Sequence, residues 1–278
     1  MVRMAGWRIV LGVVVLLLGF QPELVSAQPD GKVTVQWLGH ASFKVTSVKG
    51  KVILIDPFIT GNPKLPQEDK DLDKLGKVDL ILVTHAHGDH VGDGPTLAKK
   101  HNAPLYAPAG LNDSLVALGV LSKDLSPRFN KGGVITPLGD DIKITMTRAE
   151  HSSEFKWTNP DTGKLEIHVG GEPAGFIIEL ENGFKLYHMG DTGLFGDMKF
   201  IGDYYQPDLV LIPVGGHFVL SPQDAAYATN QYLKPKYAVP MHYGTNPRLK
   251  GTPGQYIKAL GKSATKVYDM KIGESIRF

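Results

Sequence analysis

The sequence predicts a mixed α/β fold in which helices cover a β-sheet, and three observations lead there. Val33 to Leu38, Phe43 to Val48 and Val52 to Ile55 follow one another as short strands, the pattern of an antiparallel meander. From residue 80 onward, apolar strand runs alternate with helical stretches, the signature of a sheet covered by helices. Four separate strands end in a histidine or aspartate followed by a small or polar turn: His85, His151, Asp191 and His242. Loops at strand ends are where folded sheets place functional groups.

The chain has 278 residues and a formal charge of +2, with lysines and glutamates scattered, not blocked into the basic stripe of a nucleic-acid footprint. A small-molecule substrate and no nucleic-acid partner are expected. Cysteine is absent, which excludes disulfides, thiolate metal ligands and cysteine nucleophiles. Arg3 and Arg8, the apolar run Ile9 to Phe20 and the small residues Val25-Ser26-Ala27 read as a secretory signal over 1–27, cleaved before Gln28. A run of twelve is short of the roughly twenty residues a membrane span needs, so the mature chain is expected to carry no span. The protein is thus expected to be periplasmic or secreted, with an uncleaved anchor as the alternative, and residues 28–278 form one domain.

The elements follow in order. Pro57 to Lys77 is polar and broken by Pro63 and Pro66, a loop with a short acidic helix. Leu80 to Val83 is a buried strand. Pro95 to His101 is a helix, Pro104 to Ala107 a strand and Leu111 to Gly119 a helix. Val134 to Leu138 and Ile142 to Arg148 are strands about the turn Gly139-Asp140-Asp141. Residues 153–173 read as a surface loop or hairpin beside the site, with a lid as one reading. Glu181-Asn182-Gly183 joins strands Gly175 to Leu180 and Phe184 to His188. Asp208 to Val214 and Tyr237 to Met241 are strands, and Pro222 to Leu233 is a helix capped by Ser221. Pro253 to Gly261 is a last helix, and Val267 to Phe278 a terminal strand or hairpin.

The chemistry concentrates in Thr84-His85-Ala86-His87-Gly88-Asp89-His90, directly after the buried strand. Imidazole nitrogen and carboxylate oxygen are the donors that Zn²⁺, Mn²⁺ or Fe take. At this spacing His85 and His87 can converge on one ion while Asp89 and His90 face a second. A lone H-x-H is common on surfaces, but H-x-H-x-D-H after a buried strand is a specific pattern. His101, His168 and His188 lack that context and are read as structural.

These motifs resemble the metallo-β-lactamase-fold hydrolases over residues 31–278. H-x-H-x-D-H is matched at 85–90 and the later single-residue motifs at His151, Asp191 and His242. Within that fold the chain is similar to the UPF-type metal-dependent hydrolases related to L-ascorbate-6-phosphate lactonase. Leu38-Gly39-His40-Ala41-Ser42-Phe43, Ile55-Asp56-Pro57-Phe58, 190–198 and Pro240-Met241-His242-Tyr243 carry that likeness. The resemblance implies a four-layer αββα sandwich of two mixed sheets with outer helices. It implies two divalent ions, Zn or Mn before Fe, the first held by His85, His87 and His151. The second would be held by Asp89, His90 and His242, with Asp191 bridging. Asp89, His90 and Asp191 would be the catalytic group, and hydroxide shared by the ions would attack an ester, lactone or related bond. The absence of cysteine disfavours the lactamases of this fold that place a cysteine in the second site, and His87, where diiron flavoproteins carry glutamate, disfavours that branch.

Three further residues have two readings each. Asp56 either orients a ligand histidine through its second ring nitrogen or caps the turn before Pro57. His40 lies on a loop that the family places beside the site. His217 follows Gly215-Gly216 and either touches substrate or is a polar loop residue. Two rival functions stand beside the lactonase-like reading: a phosphodiesterase or phospholipase-like enzyme, and an exported metal- or ligand-binding module without catalysis. A homo-oligomer is compatible with the sequence.

Overall fold

A computed structural model describes Met1 and residues 31–278. The expected secretory signal falls on residues outside those described. The strands in chain order are Thr34–Gly39 (β1), Ser42–Thr46 (β2), Val52–Ile55 (β3), Leu80–Leu82 (β4), Leu105–Tyr106 (β5), Val134–Ile135 (β6) and Lys143–Arg148 (β7). They continue with Glu154–Thr158 (β8), Leu165–Val169 (β9), Ala174–Glu179 (β10), Lys185–His188 (β11), Leu209–Pro213 (β12), Tyr237–Met241 (β13), Lys266–Val267 (β14) and Ser275–Arg277 (β15). The helices are Gly88–Val91 (α1), Gly94–His101 (α2), Ala109–Ala117 (α3), Met198–Tyr205 (α4), Pro222–Tyr227 (α5) and Pro253–Leu260 (α6).

Two mixed sheets form, ordered β15-β1-β2-β3-β4-β5 and β14-β13-β12-β11-β10-β7-β6. The central strands β3, β4, β10, β11, β12 and β13 read as continuous apolar runs because they are buried on both faces, and successive side chains point opposite ways. Ile53, Ile55, Leu80 and Leu82 face inward and meet Phe176, Ile178, Leu186, Leu209 and Leu211 of the second sheet. Their neighbours Leu54, Ile81 and Val83 face outward onto Leu97, Leu111 and Leu115 of α2 and α3. On the opposite side Ile177, Tyr187, Val210 and Ile212 pack against Ile201, Ala225 and Tyr256 of α4, α5 and α6. Helix, sheet, sheet, helix is the expected four-layer sandwich.

The meander β1-β2-β3 is antiparallel as predicted. The Ser221 hydroxyl accepts from the Asp224 amide at the start of α5, which passes into a π-helical turn over Ala228–Leu233. Residues 153–173 hold the β8-β9 hairpin, and Pro57 to Lys77 holds two 3₁₀ turns, Gln67–Asp69 and Leu72–Leu75. The terminal segment differs from the hairpin expectation. β14 joins β13 of the second sheet, whereas β15 joins β1 of the first. Met270 is buried in the inter-sheet core, and Gly273 turns the chain with φ 86°, so the tail crosses from one sheet to the other. Helix α4 was not legible in the sequence. Among the described residues no helix is long and apolar enough to cross a membrane.

Candidate metal centre

The strand order brings the ends of β1, β3, β4, β7, β11 and β13 to one edge between the sheets. Strands β3 and β4 are parallel, as are β11, β12 and β13, so their C-terminal ends share a side. From those ends project His40, Asp56, His85 to His90, His151, Asp191 and His242. Among non-glycine residues, Asn102, Gln206 and Lys234 have positive φ as helix C-caps. The other four are His40 (54°), Asp56 (47°), His217 (59°) and His242 (55°). Such backbone costs about 1–3 kcal/mol each and persists where surrounding structure dictates it. Three of these four stand in the cluster.

Three sets of side chains each place their ligand atoms within 4.8 Å of one another: His85, His87 and His151; His85, His90 and Asp191; and His40, Asp89, His90 and His242. Asp191 joins them. Its Oδ1 lies 3.3 Å from His90 Nε2 and its Oδ2 lies 2.9 Å from His242 Nε2, 3.6 Å from His151 Nε2 and 4.0 Å from His85 Nε2. The approaches to His90 and His242 are out of line for hydrogen bonds. His90 Nε2, Asp191 Oδ1 and both ring nitrogens of His242 are therefore buried without a hydrogen-bond partner. Orphaned buried polar atoms on this scale are rare unless an ion or water completes them.

The tautomers point the same way. Asp56, fully buried, accepts from the Thr84 amide (2.7 Å), the Thr84 hydroxyl (2.7 Å) and His90 Nδ1 (2.8 Å). Because the single Thr84 hydroxyl proton goes to Asp56, Thr84 Oγ1 accepts from His85 Nδ1 at 3.1 Å. The lone pairs of His85 and His90 are thereby turned to Nε2, facing the cluster. His87 is held in the opposite sense, with Nε2 toward Glu154 (3.2 Å) and Ser152 (3.3 Å) and Nδ1 inward. Two acceptor nitrogens, His85 Nε2 and His87 Nδ1, then face each other at 2.9 Å. Only a proton or a shared cation relieves that contact.

Charge follows suit. Burial pushes the Asp191 carboxyl up, but His242 and His90 more than offset it and hold it well below the usual range. Burial disfavours charge on His90, yet Asp191 and Asp56 draw its ring well above the ordinary imidazole value. The positive charge that Asp191 and Asp56 favour at His90 is one that a bound divalent cation would supply in place of a proton. His85 and His151 are pushed down, chiefly by burial, and stay in the neutral, ligating form.

Thr84→Val tests the tautomer argument. It removes the acceptor for His85 Nδ1, and metal affinity is expected to fall about 10- to 100-fold while the apolar packing survives. Unchanged affinity in a competition titration against a chelator would contradict it.

His40 sits between Asp89, 3.0 Å from its Nε2, and the Thr245 hydroxyl, 2.7 Å from its Nδ1. Its carbonyl accepts from the Trp37 indole and the His242 amide. Burial, and next His242, lower its pKa from 6.5 to about 4. The unfolded chain therefore takes up a proton near 6.5 that the fold refuses until about 4, so stability is lost as pH falls through that window. The loss amounts to about 3 kcal/mol at its limit. In chelator, His40→Gln is expected to flatten the decline of unfolding free energy between pH 6.5 and 4. Equal slopes in the two proteins would contradict this.

Seven predicted ligands and His40 and Asp56 thus come together; His217 does not. It is exposed, its ring lies 4.4 Å from Phe218, and no contact to the cluster is seen among the described residues. His188, read as structural, donates to the Ala41 carbonyl and accepts from the Gly190 amide, and does not join the cluster. Sequence reasoning gave no role to Thr84, Glu154 or Thr245. Only Thr84 carried a signal, as the residue between the buried strand and His85.

Comparison with known proteins agrees with this geometry. Residues 51–243 match the beta-lactamase superfamily domain. A UPF0173 metal-dependent hydrolase of Polaromonas sp. strain JS666 is 56% identical over 91% of this chain and 92% of its own length. Another, from Cupriavidus metallidurans strain CH34, is 54% identical over 88% of this chain and 84% of its own. Among solved structures, Igni18, a metallo hydrolase of the archaeon Ignicoccus hospitalis KIN4/I, superposes with a TM-score of 0.73. Its identity is 34%, over 89% of this chain and 98% of that one. The chain belongs to the beta-lactamase superfamily, and within it to the UPF0173 metal-dependent hydrolases. It is a metal-dependent hydrolase.

Proposed function

We propose that the protein is a dinuclear hydrolase of esters or lactones. His85, His87 and His151 would hold one ion, Asp89, His90 and His242 a second, and Asp191 would span both. The observation that carries the reading is Asp191 itself, one buried carboxylate within 4.0 Å of a histidine from each set. Bound Zn or Mn, with Fe as a third choice, would supply a water whose pKa is lowered to about 7 and a Lewis acid for the attacked carbonyl.

The chain's own part is orientation. Asp56 and Thr84 fix the tautomers of His90 and His85, and Glu154 fixes that of His87. Asp89, His90 and Asp191 form the catalytic group. Asp191 spans the ligand sets, His90 flanks its Oδ1, and Asp89, with 41% of its side chain exposed, borders the side open to substrate. Burial pushes the Asp89 carboxyl up, but the His40 hydrogen bond together with the charges of His90 and His40 more than compensates and keeps it ionised. His40 and Thr245 thus act as positioning residues for Asp89.

A panel of lactones, carboxylic esters and phosphodiesters tests the reading. Lactones or esters should turn over, lose turnover in chelator and regain it with Zn or Mn. Turnover of phosphodiesters alone would favour the phosphodiesterase-like alternative. Metal uptake without turnover of any class would favour a binding module. Export is part of the proposal, resting on Arg3, Arg8 and the apolar run that follows. N-terminal sequencing of the exported fraction should begin at Gln28, whereas an intact Met1 would support the anchor instead.

A further inference from the structure

We propose that the substrate is an uncharged molecule bearing an aromatic or similarly flat apolar group, seated in the groove that runs from His151 to helix α4. This rests on the hydrolase reading, and it names the substrate class of that site. The groove encloses about 1030 Å³, enough for a small organic ligand, and its inner end is lined by Glu150, His151 and Ser153. It therefore adjoins the ligand cluster at His151.

Its outer wall is aromatic, formed by the exposed ring of Phe200 and the half-buried ring of Tyr205. Phe200 is 57% exposed and, with Tyr205 and Ile201, lines the groove opposite Met146 of β7. The rings are not loose. Phe200 meets Tyr205 edge to face at 6.2 Å and stacks on Tyr204 at 5.2 Å, and Tyr204 meets Tyr205 at 4.9 Å. Held aromatic faces beside a cavity cost little to order on binding and prefer flat apolar partners.

Charge decides what else the ligand carries. The lining contains two cations, Lys131 and Arg148, and three carboxylates, Glu150, Glu172 and Asp197. Both cations are already taken. Lys131 lies 2.5 Å from Glu172, and Arg148 lies 2.8 Å from Glu150 and 3.6 Å from Asp197. On the groove's own side chains the surplus is one negative charge, so a phosphate or carboxylate held at the aromatic wall, away from the ions that the cluster would hold, meets no free cation and a net repulsion.

The test uses metal-loaded protein and three lactones: dihydrocoumarin, its 6-carboxylate and γ-butyrolactone, which is too small to reach the aromatic wall. Dihydrocoumarin is expected to exceed the carboxylate in kcat/KM by at least about tenfold, mainly through KM. Phe200→Ala should lower the dihydrocoumarin to γ-butyrolactone ratio about tenfold, and Asp197→Asn should narrow the gap to the carboxylate. Preference for the carboxylate, or a ratio unmoved by Phe200→Ala, would overturn the proposal. If no lactone turns over, the lactonase reading fails and binding decides the groove separately. The probe is then 2-tetralone, the carbocyclic isostere of dihydrocoumarin with no scissile bond, in isothermal titration calorimetry. Binding weakened about tenfold by Phe200→Ala supports the groove; no binding, or binding indifferent to the substitution, overturns it.

Discussion

Asp191→Ala is expected to strip the protein of bound metal and to lower hydrolysis by at least about a hundredfold, beyond the 10- to 100-fold that loss of a ligand's outer partner costs. Asp191 is the only carboxylate within 4.0 Å of a histidine of each ligand set among the described residues, so its loss opens both sets at once. It also removes the charge that draws His90 toward protonation. Substitution of His87 opens one set only and should leave part of the metal in place. Elemental analysis of the two variants side by side separates these outcomes. Equal, partial metal loss in both would mean that Asp191 belongs to one set alone.

Asp56→Ala should carry the largest cost to the fold of any substitution near the site. Asp56 is fully buried, and its carboxylate is the acceptor for the Thr84 amide, the Thr84 hydroxyl and His90 Nδ1. Breaking a buried pair by deleting one partner costs about 3–5 kcal/mol, because the survivor is left unpaired. Chemical denaturation in chelator should show that loss. Asp56→Asn separates stability from orientation. Its amide oxygen keeps an acceptor for the Thr84 amide, but the nitrogen in place of Oδ2 presents protons to the Thr84 hydroxyl oxygen and to His90 Nδ1 and reverses the tautomer. Stability is then largely retained while metal affinity falls about 10- to 100-fold. Full affinity in Asp56→Asn would contradict the orienting role.

The ligands were legible because each follows an apolar strand that declares itself by composition, and because the first four stand within six positions. The sandwich was legible once the resemblance to a known fold was recognised on those motifs. Apolar runs such as Ile53 to Ile55 read as strands, but their two-sided burial, with Leu54 facing helices and its neighbours facing the other sheet, depends on contacts far apart in the chain. The pairing of Val35 with Ile276 is of that kind: no local pattern distinguishes Ser275–Arg277 as a partner of the first strand from the second half of a hairpin. Helix α4 was missed because Gly202 and a run of aromatic residues weaken its local helical signal. Glu154 and Thr245 were missed for a plainer reason. Each acts on a histidine far away in sequence, His87 and His40, and nothing beside it in the chain marks it.

The central claim is that one buried carboxylate joins two ligand sets, and metal stoichiometry tests it most directly. Elemental analysis of the protein, purified without chelator, should find about two divalent ions per chain, restored by Zn or Mn after stripping. One ion or none, with no further uptake when Zn or Mn is supplied, would contradict the dinuclear site.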